Sequence, residues 1–255
     1  MSATKKIVKP LVILCFVLYF LGLVLSRAPA ELAASAIHNA MPKVWLTGIQ
    51  GTLWKGVARG AQLDLPKSSL SLGSIQWTLS GWSLLLLKPC INFEAVDGVA
   101  VISGRACQSL SGNTTLTDIN VDAPISPLSD VINLPVAGRV SLTIVSATLE
   151  ETLIKTLDGR FSWQSASFNP GEGWLSLGSF GATLSESGDG KIKGHVTDIE
   201  GSLKVDIEAL VSLNDWQFSG TVSPQEGTPE LLVEGLPLFG EEVEPGQYHI
   251  VLSSQ

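Results

Sequence analysis

Chemistry-bearing side chains are scarce in this chain. Its 255 residues include only three histidines, three cysteines and two methionines. His38, His195 and His249 have no histidine or cysteine partner at ligand spacing, which argues against a zinc site. There is no Gly-x-Ser-x-Gly nucleophile elbow and no glycine-rich loop ending in Gly-Lys-Ser/Thr to cradle a phosphate. The stretch "GEGWLSLG" from Gly171 lacks a glycine that the dinucleotide fingerprint requires. Glu241, Glu242 and Glu244 form an acidic cluster that reads as a solvated loop rather than a metal site. No catalytic residue, cofactor or metal ligand is assigned, and an enzyme is not expected.

Acid is also missing from the start of the chain, where nothing precedes Glu31. The chain carries 16 basic and 24 acidic residues, but Lys5, Lys6, Lys9 and Arg27 all precede Ala28. Residues 28–255 therefore hold 12 basic against 24 acidic groups, a net −12. Such a body is a poor partner for phosphate backbones, so nucleic-acid binding is not expected.

The one long hydrophobic run is "LVILCFVLYFLGLVL", residues 11 to 25. With Ile7 and Val8 added and Lys9 snorkelling, residues 7–27 can span a bilayer as a signal-anchor. The alternative is a cleavable signal peptide with a small-residue site at Ala28-Pro29-Ala30. The lysines ahead of the run put residues 1–6 in the cytoplasm and the body outside it. Residues 28–42, alanine-rich and closed by Pro42, read as a juxtamembrane helix continuing from the anchor.

Beyond residue 43 the hydrophobic period becomes two. Leu203, Val205, Ile207, Ala209, Val211 and Leu213 alternate with polar neighbours. So do Ile75, Trp77 and Leu79, and Val140, Leu142 and Ile144. Half-buried alternation of this kind marks antiparallel strands, so residues 43–255 are expected to be an all-β body. A meander or curled sheet fits, with two lobes meeting near 120–138, where prolines cluster. Turns are expected at Asp97-Gly98, Asp158-Gly159, Asn169-Pro170-Gly171 and Ser187 to Gly190. Residues 126–134, "SPLSDVINL", are the expected helical exception, with Ser126 ahead of Pro127.

Outside the cytoplasm, Cys90 and Cys107 form a candidate disulfide, with two unpaired buried thiols as the alternative. Pairing about an Asp97-Gly98 turn would set Cys90 opposite Arg105, leaving a bulge at Ser103-Gly104 to absorb the offset. Trp45, Trp54, Trp77, Trp163, Trp174 and Trp216 are expected to pack in the core or on sheet faces. The run Leu84 to Leu87, following Trp82, needs burial or a partner. "LGSIQWTLSG" from Leu72 and "LGSFGATLSE" from Leu177 echo one another without making a repeat.

The stretch "GIQGTLWKGVARG" reads as the first hairpin, with a close approach to the backbone at Gly56. Gly51, Thr52, Leu53, Trp54, Lys55 and Gly56, then Trp77 and "SLLLLK", resemble protein N of the bacterial type II secretion pathway. "GRFSW" from Gly159 and the Trp216-to-Gly220 element extend the resemblance, whereas Ser80-Gly81 stands where a proline turn would be expected. The resemblance implies a single-pass inner-membrane protein with a periplasmic β domain. It implies an accessory subunit that contacts other secretion subunits, the inner-membrane platform or the secretin, by binding and assembly. A membrane-anchored lipid carrier is the alternative, requiring inward apolar residues that no second sheet covers.

Overall fold

The computed structural model describes residues 13, 15–17, 19–20, 22–64, 69–129, 135–150, 153–171, 173–212 and 215–254. After a helical stretch at 22–26, helix α1 (Ala30–Ala40) leads into β1 (Val44–Gly51), β2 (Lys55–Asp64) and β3 (Ser69–Leu79). A single-turn helix α2 (Gly81–Leu85) separates these from β4 (Cys90–Asp97), β5 (Ala100–Gln108) and β6 (Asn113–Pro124). The longest strands come next, β7 (Val136–Glu150) and β8 (Leu153–Phe168), then β9 (Leu175–Glu186) and β10 (Ile192–Glu200). The chain ends with β11 (Leu203–Val211), β12 (Trp216–Pro224), α3 (Glu230–Phe239), β13 (Gly240–Glu244) and β14 (Gln247–Ser253).

All fourteen strands belong to one antiparallel sheet, ordered β1 through β12 and then β14 and β13. The body is thus the expected all-β meander. On either side of the expected seam, β6 and β7 pair from Asn113↔Glu150 to Pro124↔Arg139.

At four of the ladder's register shifts alternation survives because the extra residue faces outward. Asp118, Val145, Ser165 and Ile199 are the additional residues, and all four are exposed. Asp118 and Ser165 adopt left-handed φ of 53° and 48°, conformations that short polar residues tolerate best. Inward residues are consequently three apart at these points: Leu116 and Ile119, Ile144 and Ala147, Trp163 and Ala166. A strict period of two would have lost the face here.

Several local expectations are corrected. The β4–β5 turn comprises Gly98 and Val99, with Asp97 still paired to Ala100. That one-residue shift sets Cys90 opposite Cys107 without a bulge, and the two are joined by a disulfide with Cα atoms 4.1 Å apart. The irregularity near Ser103 falls instead between β5 and β6. Asp158-Gly159 is no turn but the middle of β8, with Gly159 opposite Ile144 and Leu184. The acidic Glu241, Glu242 and Glu244 sit on edge strand β13 rather than in a loop. At 126–134 only a 3-10 turn, Ser126–Leu128, is described beyond Ser129, and residues 130–134 lie outside the described residues. The glycine-rich echoes coincide at strand irregularities, with Gly73 and Gly178 both at positive φ against a neighbouring strand's backbone.

Helix α1 does not continue from the preceding helix, because Arg27 to Pro29 break it and Pro29 bridges Thr52. Among the described residues no helix is long and apolar enough to cross a membrane. The expected cytoplasmic tail, and residues 7–12, 14, 18 and 21 of the expected anchor, lie outside the described residues.

The disulfide closes a loop with a sequence separation of 17. Replacing both cysteines by serine should lower unfolding free energy by about 3 kcal/mol, read from urea denaturation of the purified chain with and without reductant.

Candidate functional site

The "GTLWKG" stretch builds a corner that clamps the chain emerging from the N-terminal helix. Gly51 turns at φ +99°, where a Cβ would lie 2.5 Å from the Lys55 carbonyl. Thr52 N–H donates to that same carbonyl at 2.9 Å, and the Thr52 hydroxyl accepts from Lys55 N–H at 3.3 Å. This closes the turn and frees two neighbours to reach outward. Leu53 N–H donates to the Ala28 carbonyl at 2.8 Å. The Trp54 indole donates to the Leu25 carbonyl at 2.8 Å, joining the Ala28 N–H at 3.2 Å on that acceptor in the last helical turn.

The corner is anchored from behind by Trp77, only 2% exposed. Its indole donates to the Leu53 carbonyl at 3.3 Å, while Leu79 N–H donates to the Trp54 carbonyl at 2.8 Å. The Trp77 ring covers Gly56 so closely that a Cβ there would lie 2.2 Å from a ring carbon. The close approach expected at Gly56 exists, and the Trp77 ring on the neighbouring strand β3 makes it. Ala30 and Ala33 of α1 and Ala58 of β2 complete this cluster, with Leu46 and Ile49 packed against it. Small residues on α1 let the helix lie close against the sheet.

A second feature spans the whole molecule. Cross-strand partners form one unbroken apolar row: Ile49, Ala58, Ile75, Ala95, Ile102, Val121, Leu142, Phe161, Ala182, Val196, Ile207, Gly220, Ile250 and Gly240. The row two residues along, through Trp77, Phe93, Ile119, Ile144, Leu184 and Phe218, is equally free of polar side chains. The opposite face carries Gln76, Glu94, Ser103, Asn120, Thr143, Arg160, Thr183, His195, Glu208 and Ser219 in one row. On this polar face, His195 Nε2 lies 2.9 Å from an Asp206 carboxylate oxygen, both side chains at least half exposed. Lys55 begins the same face beside Thr78, Asn92 and Arg105.

Among the described residues the two longer helices on the apolar face, α1 and α3, lie over its ends. Helix α1 lies over the first strands, and Leu236 of α3 packs on Leu203, Val205, Val222 and Ile250 at the other end. Trp216 is 39% exposed with its ring centroid 5.3 Å from that of Phe218. Gly220 belongs to the row because a Cβ there would sit 2.1 Å from the Asp206 carbonyl. Trp174, expected to pack, is instead 57% exposed beyond the Asn169 turn. Trp82 and Leu86 of the α2 segment are each 79% exposed.

A family model for type II secretion system protein N matches residues 42–251. The chain belongs to that family. It is 27% identical over 250 residues to the type II secretion system protein N of Aeromonas hydrophila, covering 94% of this chain and 96% of the relative. It is 27% identical over 241 residues to the protein of the same name from Vibrio cholerae serotype O1, covering 88% and 90%. No solved structure matches the chain. The family match covers both the corner and the apolar row.

Sequence reasoning missed helix α3, whose Gly235 and internal Pro237 disguise its pattern. It also missed the backbone acceptors of Leu25 and Ala28, which leave no residue-type signal. Gly56→Ala should destabilise the chain by about 1–3 kcal/mol through overpacking against Trp77. Adding Trp77→Leu should make the alanine much less costly than in the wild-type background, a coupling that a double-mutant denaturation cycle reads directly.

Proposed function

We propose that this protein is an accessory subunit of the type II secretion system, which exports folded proteins across the outer membrane, and that it acts by binding and assembly. The observation that carries this reading is the corner, which belongs to the family-matched region and holds the sheet directly against the end of the N-terminal helix. An apolar segment at residues 7–27 then fixes the body at the periplasmic face of the inner membrane, with residues 1–6 in the cytoplasm. Confinement of this kind raises the effective concentration of the sheet at the assembly site.

A second contact with the bilayer supports the same placement. Trp82, Leu86 and Leu87 are 79%, 79% and 59% exposed, followed by Lys88. Their helix starts next to Trp54, whose indole reaches the end of the N-terminal helix. Exposed tryptophan and leucine beside a lysine suit the headgroup boundary.

The partner-binding element of this reading is β1. Strand edges bind extended segments by adding a strand. The sheet's other edge, β13, is only five residues long and carries exposed Glu241, Glu242 and Glu244, features that discourage pairing. Strand β1 has eight residues and no charged side chain, and β2 is its only ladder partner among the described residues. Another secretion subunit, from the inner-membrane platform or the secretin, would pair there.

Photo-crosslinking residues placed at the exposed Thr47 and Gln50 should capture another secretion subunit in intact cells. Secretion that proceeds normally with no protein adduct at either position would refute the edge assignment. Exporting the body without residues 1–27 through a cleavable signal should leave it folded, by circular dichroism, while lowering secretion of a reporter at least tenfold.

A further inference from the structure

We propose that the uncovered middle of the apolar face, from β4 to β10, is a groove that holds the acyl chains of membrane phospholipid. A sheet with one apolar face ordinarily buries it against a second layer. Here α1 covers the first strands and α3 the last, the 3-10 turn Ser126–Leu128 sets Pro127 at the rim of a cleft beside Ile102 and Val121, and among the described residues the element order supplies no second sheet and no longer helix over the middle. Yet Ile102, Val121, Leu142 and Phe161 are only half-buried, and none is fully exposed. They lie on the sheltered side of the sheet, while the exposed apolar side chains Val96, Val101 and Val251 belong to the polar face.

The chemistry of the face selects the occupant. Its backbone donors and acceptors are consumed in the strand ladders, and the two central rows contribute no hydrogen-bonding side chain from β4 to β10. A protein partner typically forms about one hydrogen bond per 100–200 Å² of interface; the two central rows offer nothing to form them with, and polar side chains such as Asp97, Gln108 and Thr114 stand only along the cleft margins. An acyl chain asks for none. Six strand spacings of about 4.8 Å give the open region a length of roughly 29 Å, about twice the roughly 15 Å half-thickness of the bilayer core that the acyl chains of one phospholipid span, so a chain fits within it along the row.

Two clefts mark the surface on this face. One, about 420 Å³, is lined by Leu70, Leu72, Ala95, Ile102, Val121 and Val140. The other, about 360 Å³, lies beneath α1 and is lined by Ala33, Ile37, Leu53, Leu79, Ile91 and Ala106. The second places one end of the apolar face next to the corner that receives the N-terminal helix, so the face begins where the chain leaves its apolar segment. Lipid entering there remains on apolar side chains across the sheet, with the polar face and its charges turned away.

The test uses the full-length chain in intact membranes, with a photo-crosslinking residue at Leu142 or Phe161 on the apolar face and at Thr143 or Arg160 on the polar face. Adjacent positions share local backbone and differ in side, so altered folding affects both members of a pair. Mass spectrometry of the irradiated protein should find phospholipid adducts at least tenfold more abundant at Leu142 and Phe161 than at their neighbours. Polypeptide adducts at Leu142 and Phe161, free fatty acid as the sole adduct, or equal lipid labelling on both faces would each overturn the proposal. These readouts are separate from the β1 crosslinks, so either reading can fail while the other stands.

Discussion

The register of one ladder governs this molecule. A slip of a single residue between any two strands would exchange their inward and outward side chains, placing Arg160 or Glu94 among Phe161 and Ile102. Fourteen strands keep one face apolar because at four of the register shifts the extra residue is exposed. Asp118, Val145, Ser165 and Ile199 absorb the mismatch, and the rows resume on the same side beyond each of them. Cys90 and Cys107 pin one of these registers covalently.

The clamp near the start of the chain depends on the same ladder. Trp77 occupies an inward position on β3, where Gly56 on β2 makes room for its ring. That packing fixes the Leu53 carbonyl as the acceptor for the Trp77 indole, and the strand beyond it fixes Trp54. From there the hydrogen bonds to Leu25 and Ala28 are set. A motif without acid, base or nucleophile thus becomes intelligible as a mechanical joint between an apolar segment and a sheet. The joint binds neighbours of the same chain, which is why its residues look inert as chemistry.

Legibility in the sequence tracked local signals. The alternation in β11 from Leu203 to Val211 is unbroken, and its strand is readable from residue types alone. At Leu116 and Ile119, or Trp163 and Ala166, inward residues stand three apart, so the periodicity that reveals β11 fails in β6 and β8. Asp158-Gly159 has turn composition, but pairing with strands on both sides holds it extended, a tertiary override of local preference. The turn at Gly98 was recognisable by composition, and its position was off by one because Asp97 remains in the ladder. The corner's glycines and tryptophans were visible, whereas their partners are backbone carbonyls that no pattern announces. The open apolar middle could not be read at all, since strand sequences look the same whether a second layer covers them or not.

Secretion assembly and lipid contact are compatible uses of this architecture, one at the β1 edge and the other on the face. The central claim is the proposal that lipid, rather than a second protein layer, closes the middle of the apolar face. Its most direct measurement is maleimide labelling of single cysteines at Leu142 and Thr143, with Cys15 replaced and the native disulfide retained. Labelling would be monitored in membranes and again after lipid is stripped with detergent and the detergent removed. The account predicts rapid labelling at Thr143 throughout, and labelling at Leu142 that is slow in membranes and at least tenfold faster once lipid is gone. Slow labelling at Leu142 in both states, with Thr143 still reactive, would show that protein covers the face and would contradict the account.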